Sequence, residues 1–249
     1  MPVFSFRGPP DSQCGLFYWP FGSDKSGPFN WPKGTIIAAS LPDGATLSIA
    51  TTYDVNKAIT AITNANPGVA TATAHGFANG DLVEIKSGWS SVNDRIVRVA
   101  ASTTGNFSLE GQDTTDVLKN PAGSGAGGAR KISAWTQITQ IMGFTTSGGD
   151  QQYTNFSFLE DDWERQLPTM KSAQSLQIEI ADDPTLLGYI ALKNAASKRA
   201  NVALRLALPN GSAIYYNGMV SLNETPTVSK GQVMQVTASM ALTAQATRY

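Results

Sequence analysis

Several stretches of the chain alternate apolar and polar residues with a period of two, the pattern of strands buried on one face. In "SLQIEIA", Leu176, Ile178 and Ile180 fall on one side and Gln177 and Glu179 on the other. "NVALRLAL" places Val202, Leu204, Leu206 and Leu208 on one face, and the turn "PNGS" joins it to "AIYYNGMVSL" as a hairpin. "QVMQVTASMALT" sets Met234, Val236, Ala238, Met240 and Leu242 against Gln235, Thr237 and Ser239. Nearer the start, "GTIIAAS" and "ATLSIATTY" read as strands joined by the turn "LPDG".

One segment carries helical periodicity, "ADDPTLLGYIALKNAASKR". Asp183 is placed to cap its start, Pro184 suits the first helical position, and Lys198 and Arg199 suit the negative C-terminal end. At 100° per residue, Leu186, Leu187, Ile190 and Ala191 share one face, while Tyr189, Leu192 and Ala196 share another. A helix apolar on two sides packs against two partners. One partner is its own sheet. The other is a neighbouring subunit, for which Tyr189 and Leu192 are the candidate contacts. The fold predicted is mainly β, an antiparallel sandwich or barrel with one packed helix.

Between about Ala58 and Ser133 the pattern shortens to brief β runs and turns, with "NPG" and "NGD" at the bends and "RIVRVAAS" and "GNFSLEG" as further strands. "NPAGSGAGGAR" has the composition of a flexible linker. The expected division is residues 1–57 and 136–249 as one β-domain, with 58–135 as a small β-domain inserted into it. The first 34 residues form no regular element. Phe17, Tyr18, Trp19, Phe21, Phe29 and Trp31 are interrupted by Pro20, Pro28 and Pro32, which forbid a long helix while the aromatics call for burial. The segment is either a loop folded over its own domain or an arm lying in a groove of an adjacent subunit.

Composition narrows the function. Eighteen Lys and Arg against nineteen Asp and Glu leave a formal charge of −1, against a broad basic face for nucleic acid. Charged residues are only 15% of the chain, below the usual ~25%, as expected of a surface covered by neighbouring copies. No apolar run approaches the ~18 residues of a membrane span, and the N-terminus lacks the pattern of a signal peptide, so a soluble protein made in a cytoplasm is expected.

Candidate chemistry is sparse. Cys14 and His75 are the only residues of their types, so an intrachain disulfide is impossible and a zinc site is hard to build. No G-x-S-x-G or phosphate-binding loop occurs, and His75 reads as a structural turn residue. "FSFLEDDWERQLPT" concentrates Glu160, Asp161, Asp162 and Glu164 beside Trp163 and Arg165. Those acids suit a solvated turn, a contact surface anchored by Trp163 with Arg165 and Lys171 supplying opposite charge, or a divalent-metal site.

The succession "YTNFSFLEDDWERQLPTMKSAQSLQIEIADDP", one helix, the hairpin "RLALPNGSAIYYNGMVSL" and a last long strand resembles the major tail tube proteins of long-tailed bacteriophages, over roughly residues 35–57 and 136–249. "HGFANGDLVEI" and "NFSLEGQDTT" resemble a small β-domain that recurs in phage virion proteins. The resemblance implies hexameric rings stacked into a tube, assembled in the host cytoplasm, with the tape-measure protein and then phage DNA in the lumen and other tail proteins at the ends. It implies no enzymatic activity, cofactor, metal or membrane association. Under it, Trp19, Phe21, Trp31, Glu160, Asp161, Asp162, Trp163, Arg165, Tyr189 and Leu192 become subunit-contact candidates, and Gln235, Thr237 and Ser239 lumen candidates. The insert is expected outside the tube wall. A baseplate, tail-completion or adsorption component is the alternative, followed by a metal-dependent hydrolase centred on residues 160–164.

Overall fold

The computed structural model of the chain describes residues 43–249. The strand expected at "GTIIAAS" and the candidates Trp19, Phe21 and Trp31 lie outside the described residues. From β1 (Thr46–Tyr53) the chain runs through six short strands, β2 (Lys57–Ile59), β3 (Ala61–Ile62), β4 (Val69–Thr71), β5 (Leu82–Ser87), β6 (Ile96–Ala100) and β7 (Asn106–Leu109). The long β8 (Gly127–Ile138) turns directly into β9 (Ile141–Ser147). A hairpin follows, β10 (Gln151–Phe156) and β11 (Arg165–Lys171), then β12 (Ser175–Ala181) and helix α1 (Leu187–Lys198). The chain closes with β13 (Asn201–Ala207), β14 (Ala213–Thr227), β15 (Gln235–Leu242) and β16 (Thr247–Arg248).

All strands except the β10–β11 pair join one curled antiparallel sheet in the order β3-β4-β7-β6-β5-β8-β1-β13-β14-β15-β12-β9, with β16 on β14 and β2 on β8. This is the mainly β, one-helix architecture that the alternation predicts. The period-two pattern is realised residue by residue: Leu176, Ile178 and Ile180 are buried opposite Met240, Ala238 and Val236, and all six enter one core. Leu47, Ile49, Val202 and Leu204 close that core from the other side.

Helix α1 covers the core against β14, β8 and β1. It starts one turn later than predicted, with Leu186 at the N-cap position and no side-chain cap. Asp183 instead closes a local turn, its Oδ1 accepting from both the N–H and the hydroxyl of Thr185. The short side chain satisfies those nearby donors more readily than a helix start three residues on. Tyr189, Leu192 and Ala195 point into the core, and Gly188 lets the helix lie against β8, since a Cβ there would sit 2.8 Å from the carbonyl oxygen of Gln137.

A second hydrophobic cluster is built from Ile59, Val83, Ile85, Trp89, Val97, Phe107 and neighbours, all within residues 59–129. The glycine stretch runs into β8 and is not a linker. Gly127 and Gly128 are strand residues paired with Ser87 and Lys86 of β5, and a Cβ on Gly127 would meet the Lys86 carbonyl oxygen at 2.0 Å. Upstream, the Pro121 carbonyl accepts the indole N–H of the fully buried Trp89 at 2.7 Å. Glycine serves close approach here, a use that composition does not distinguish from flexibility.

β8 runs unbroken from β5 to β1, so the boundary expected at 135/136 falls inside a strand shared by both clusters. Ile96 of β6 is buried in the same core as β12 and β15. At the junction the Glu84 side chain is wholly inaccessible, held by the Arg130 guanidinium at 2.6 Å and by the Asn217 side-chain amide at 3.3 Å. Arg130 stacks on Tyr53, whose hydroxyl accepts the Ala203 N–H. On another side, the Tyr249 hydroxyl accepts from the Arg98 N–H and donates to the Glu110 carbonyl, while its backbone pairs with Ala213.

Candidate functional site

The stretch "FSFLEDDWERQLPT" forms the end of the β10–β11 hairpin, which pairs only with itself. Every residue of β11 is exposed, and β10 is exposed from Gln152 to Asn155. Six large apolar side chains project from this arm: Tyr153, Phe158, Leu159, Trp163, Leu167 and Met170, with Leu159 fully exposed and Trp163 at 68%. A two-stranded hairpin by itself is marginally stable in water. An arm this apolar is suited to a surface supplied from elsewhere.

The four acids separate into distinct roles. Asp161 makes the turn, accepting the Phe158 N–H at 3.2 Å and an ion pair from Arg165 at 2.9 Å. Glu164 accepts the Asn155 amide at 3.1 Å across the hairpin. Glu160 and Asp162 have no ion-pair partner among the described residues. Arg165 also lies 5.5 Å from the Trp163 ring and 5.9 Å from the Phe158 ring. Among the described residues no three His, Cys, Asp or Glu side chains are grouped to hold a metal. The carboxylates shape a turn and leave two charges facing water.

Gln235, Thr237 and Ser239 sit on the solvent face of a four-strand surface with aligned rows. Thr145 of β9, Gln177 of β12, Ser239 of β15 and Ser221 of β14 form one row. Gly143, Glu179, Thr237 and Asn223 form the next, and Ser147, Ser175, Ala241 and Met219 the one beyond. Hydroxyls and amides dominate, and Glu179 is the one charge in those rows. The surface follows from the same alternation that builds the core, since each buried residue turns its neighbours outward.

The helix faces are assigned the opposite way from the expectation. Tyr189 and Leu192 are buried in the chain's own core, whereas Leu187 and Ile190, at 75% and 41% exposure, face solvent. Periodicity found two apolar faces; only the packing decides which one the sheet takes.

His75 is buried between Phe77 and Phe107. Its Nδ1 accepts the Phe77 N–H at 3.0 Å and its Nε2 lies 2.8 Å from the Thr103 carbonyl oxygen, so the Nε2-protonated ring satisfies both groups. It is a structural plug, as its turn position suggested. A cleft of about 1010 Å³ is lined by Arg95, Asp116, Lys119, Asp150, Lys171 and Gln174, among others. No described helix is long and apolar enough to cross a membrane.

No curated protein sequence matches the chain. The phage tail tube protein family, TTP, matches residues 87–249, well over half of the chain, running from the end of β5 through the hairpin, the helix and the polar sheet face. With that match laid over a curled antiparallel sheet, the chain belongs to the phage tail tube protein family and is a structural protein of the phage virion.

Proposed function

We propose that the chain assembles into hexameric rings that stack into the tail tube and form the conduit through which phage DNA reaches the host cell. The observation that carries this reading is the β10–β11 arm, whose exposed apolar side chains need a partner surface that the described residues of the same chain do not supply. In this reading Glu160, Asp161, Asp162, Trp163 and Arg165 lie at subunit contacts. On the helix, Leu187 and Ile190 take the role expected of Tyr189 and Leu192. Trp19, Phe21 and Trp31, outside the described residues, are counted among the subunit contacts in this reading.

The polar rows that contain Thr237 and Ser239 face the lumen, together with Gln235, which lies opposite Ala181 and Thr227. Among the described residues β9 ends the sheet, and in this reading the next subunit pairs with that edge. A lumen surface of hydroxyls and amides with a single carboxylate per set of rows offers phosphates no cationic anchor, so passing DNA is not retained. The tape-measure protein occupies the same channel first, other tail proteins close the ends, and assembly takes place in the host cytoplasm. No catalysis, cofactor or metal is involved. Residues 58–135 form the inserted domain, on the outside of the wall, and residues 43–57 and 136–249 the described part of the tube domain.

Negative-stain microscopy of the purified chain tests this. Stacked rings or hollow tubes of uniform bore are expected. Monomers at all concentrations would refute self-assembly, and isolated rings would favour a baseplate or tail-completion role.

A further inference from the structure

We infer that the tip of the β10–β11 hairpin of one copy seats on the outer face of helix α1 of another, an inference that rests on the self-assembly proposed above. Two unpartnered apolar surfaces stand out among the described residues, and they are unlike each other. The hairpin tip presents Leu159 and Trp163 flanked by Glu160 and Asp162. The helix presents Leu187 and Ile190, and its exposed stripe continues through Asn194 to Lys198 and Arg199. Neither Lys198 nor Arg199 has an ion-pair partner among the described residues, whereas Lys193 on the neighbouring strip is held by Glu224 at 2.6 Å.

The charges are complementary. At 1.5 Å per residue, the eight steps from Ile190 to Lys198 span about 12 Å, so the apolar and cationic ends of the stripe lie about two helical turns apart. Leu159 and Trp163 then cover Leu187 and Ile190, while Glu160 and Asp162 face Lys198 and Arg199. The other charges beside the helix explain the direction of seating. Asp182 and Asp183 precede its start and Glu224 lies beside Lys193, so an acidic tip is repelled there and drawn to the C-terminal cations. Because the two surfaces differ, the contact is head-to-tail and propagates from copy to copy.

The test uses the full chain with Cys14→Ser, adding Leu159→Cys and Ile190→Cys together or singly. Mild oxidation of assembled protein is expected to give a covalent ladder of trimers and beyond for the double variant, with neither single variant exceeding a dimer. Lys198→Glu with Arg199→Glu is expected to raise the concentration for half-assembly about tenfold, and adding Glu160→Lys with Asp162→Lys to restore it. Those helix positions are exposed, so an unchanged melting curve shows that each variant folds.

Tubes without a ladder, or a charge-reversed helix that assembles at unchanged concentration, would overturn the docking while leaving the tube reading intact. Ile190→Cys with native Cys14 gives a further check: a disulfide between Cys14 and the introduced cysteine would mean that the N-terminal arm occupies the helix face instead. Failure of the unmodified chain to form rings or tubes would remove the self-assembly reading itself.

Discussion

Glu84→Ala probes the junction between the two hydrophobic clusters. The carboxylate is wholly inaccessible and bonded to Arg130 at 2.6 Å and to Asn217 at 3.3 Å. Asn217 keeps a second acceptor in the Asp94 carbonyl at 2.7 Å, and Lys86 keeps the Asp94 carboxylate. The main loss therefore falls on Arg130, whose side chain is 32% exposed and can recover part of its hydration. Breaking a buried pair by removing one partner costs about 3–5 kcal/mol; with that partial access, we expect about 2–4 kcal/mol. With a urea dependence of about 2 kcal/mol per molar, the unfolding midpoint falls by about 1–2 M.

Urea titration followed by tryptophan fluorescence and by far-ultraviolet circular dichroism measures the shift under conditions that keep the chain unassembled. Trp89 reports from the second cluster and Trp135 from the shared strand β8, so coincident probes indicate one cooperative unit. Arg130→Met added to Glu84→Ala should be less destabilised than the sum of the single variants, because the uncompensated charge goes with it. A Glu84→Ala shift below about 0.5 kcal/mol, or strict additivity in the double variant, would refute the claim that this pair joins the two parts.

Gly127→Ala should destabilise by at least about 1–3 kcal/mol, because its methyl meets the Lys86 carbonyl carbon at 2.8 Å and its oxygen closer still; Gly105→Ala, with nothing within 4 Å, should stay within about 0.5 kcal/mol, and thermal melts compare the two. Tyr249→Phe removes a hydroxyl that bridges Arg98 and Glu110, and should lower stability by about 1–2 kcal/mol in the same melts. Burial pushes the Tyr53 hydroxyl up to about 12 from 10, partly opposed by the Ala203 N–H it accepts, so the folded state holds this proton more tightly than the unfolded one. Its stabilisation is complete below pH 10 and is lost as pH rises towards 12, by about 3 kcal/mol at the limit, and the melting temperature of Tyr53→Phe should fall less steeply over that window. Thr237→Lys with Ser239→Lys should leave tube assembly intact and slow genome ejection; normal ejection kinetics would remove these residues from the lumen.

The candidate surfaces were partly legible in advance. The clustering of apolar and acidic residues at 157–164 marked the hairpin tip, and alternation in β15 marked Gln235, Thr237 and Ser239 as a solvent-facing set. Division of labour among the acids was not readable, because adjacency does not say which carboxylate caps a turn, which pairs across strands and which faces water. Trp89 carries no local sign of a core anchor: it sits in "KSGWSSVND", with neither strand nor helix periodicity, and the returning Pro121 segment supplies its hydrogen bond.

Alternation along the chain was enough to establish a mainly antiparallel fold, the inward set of β12, Val236, Ala238 and Met240 of β15, and one helix, since these depend on neighbours two to four residues apart; it missed that Met234 is exposed and that Ala203 is buried beside Val202 and Leu204. Tertiary structure alone decided which helix face is covered, that the end of the glycine stretch from Gly127 is a strand, and that β8 is shared by both clusters. Those outcomes depend on contacts between residues far apart in the chain, such as Gly127 with Lys86, Glu84 with Asn217 and Tyr249 with Arg98. Local periodicity carries no record of such distances, so the same glycines and the same apolar helix face acquire their meaning only once the sheet has closed around them.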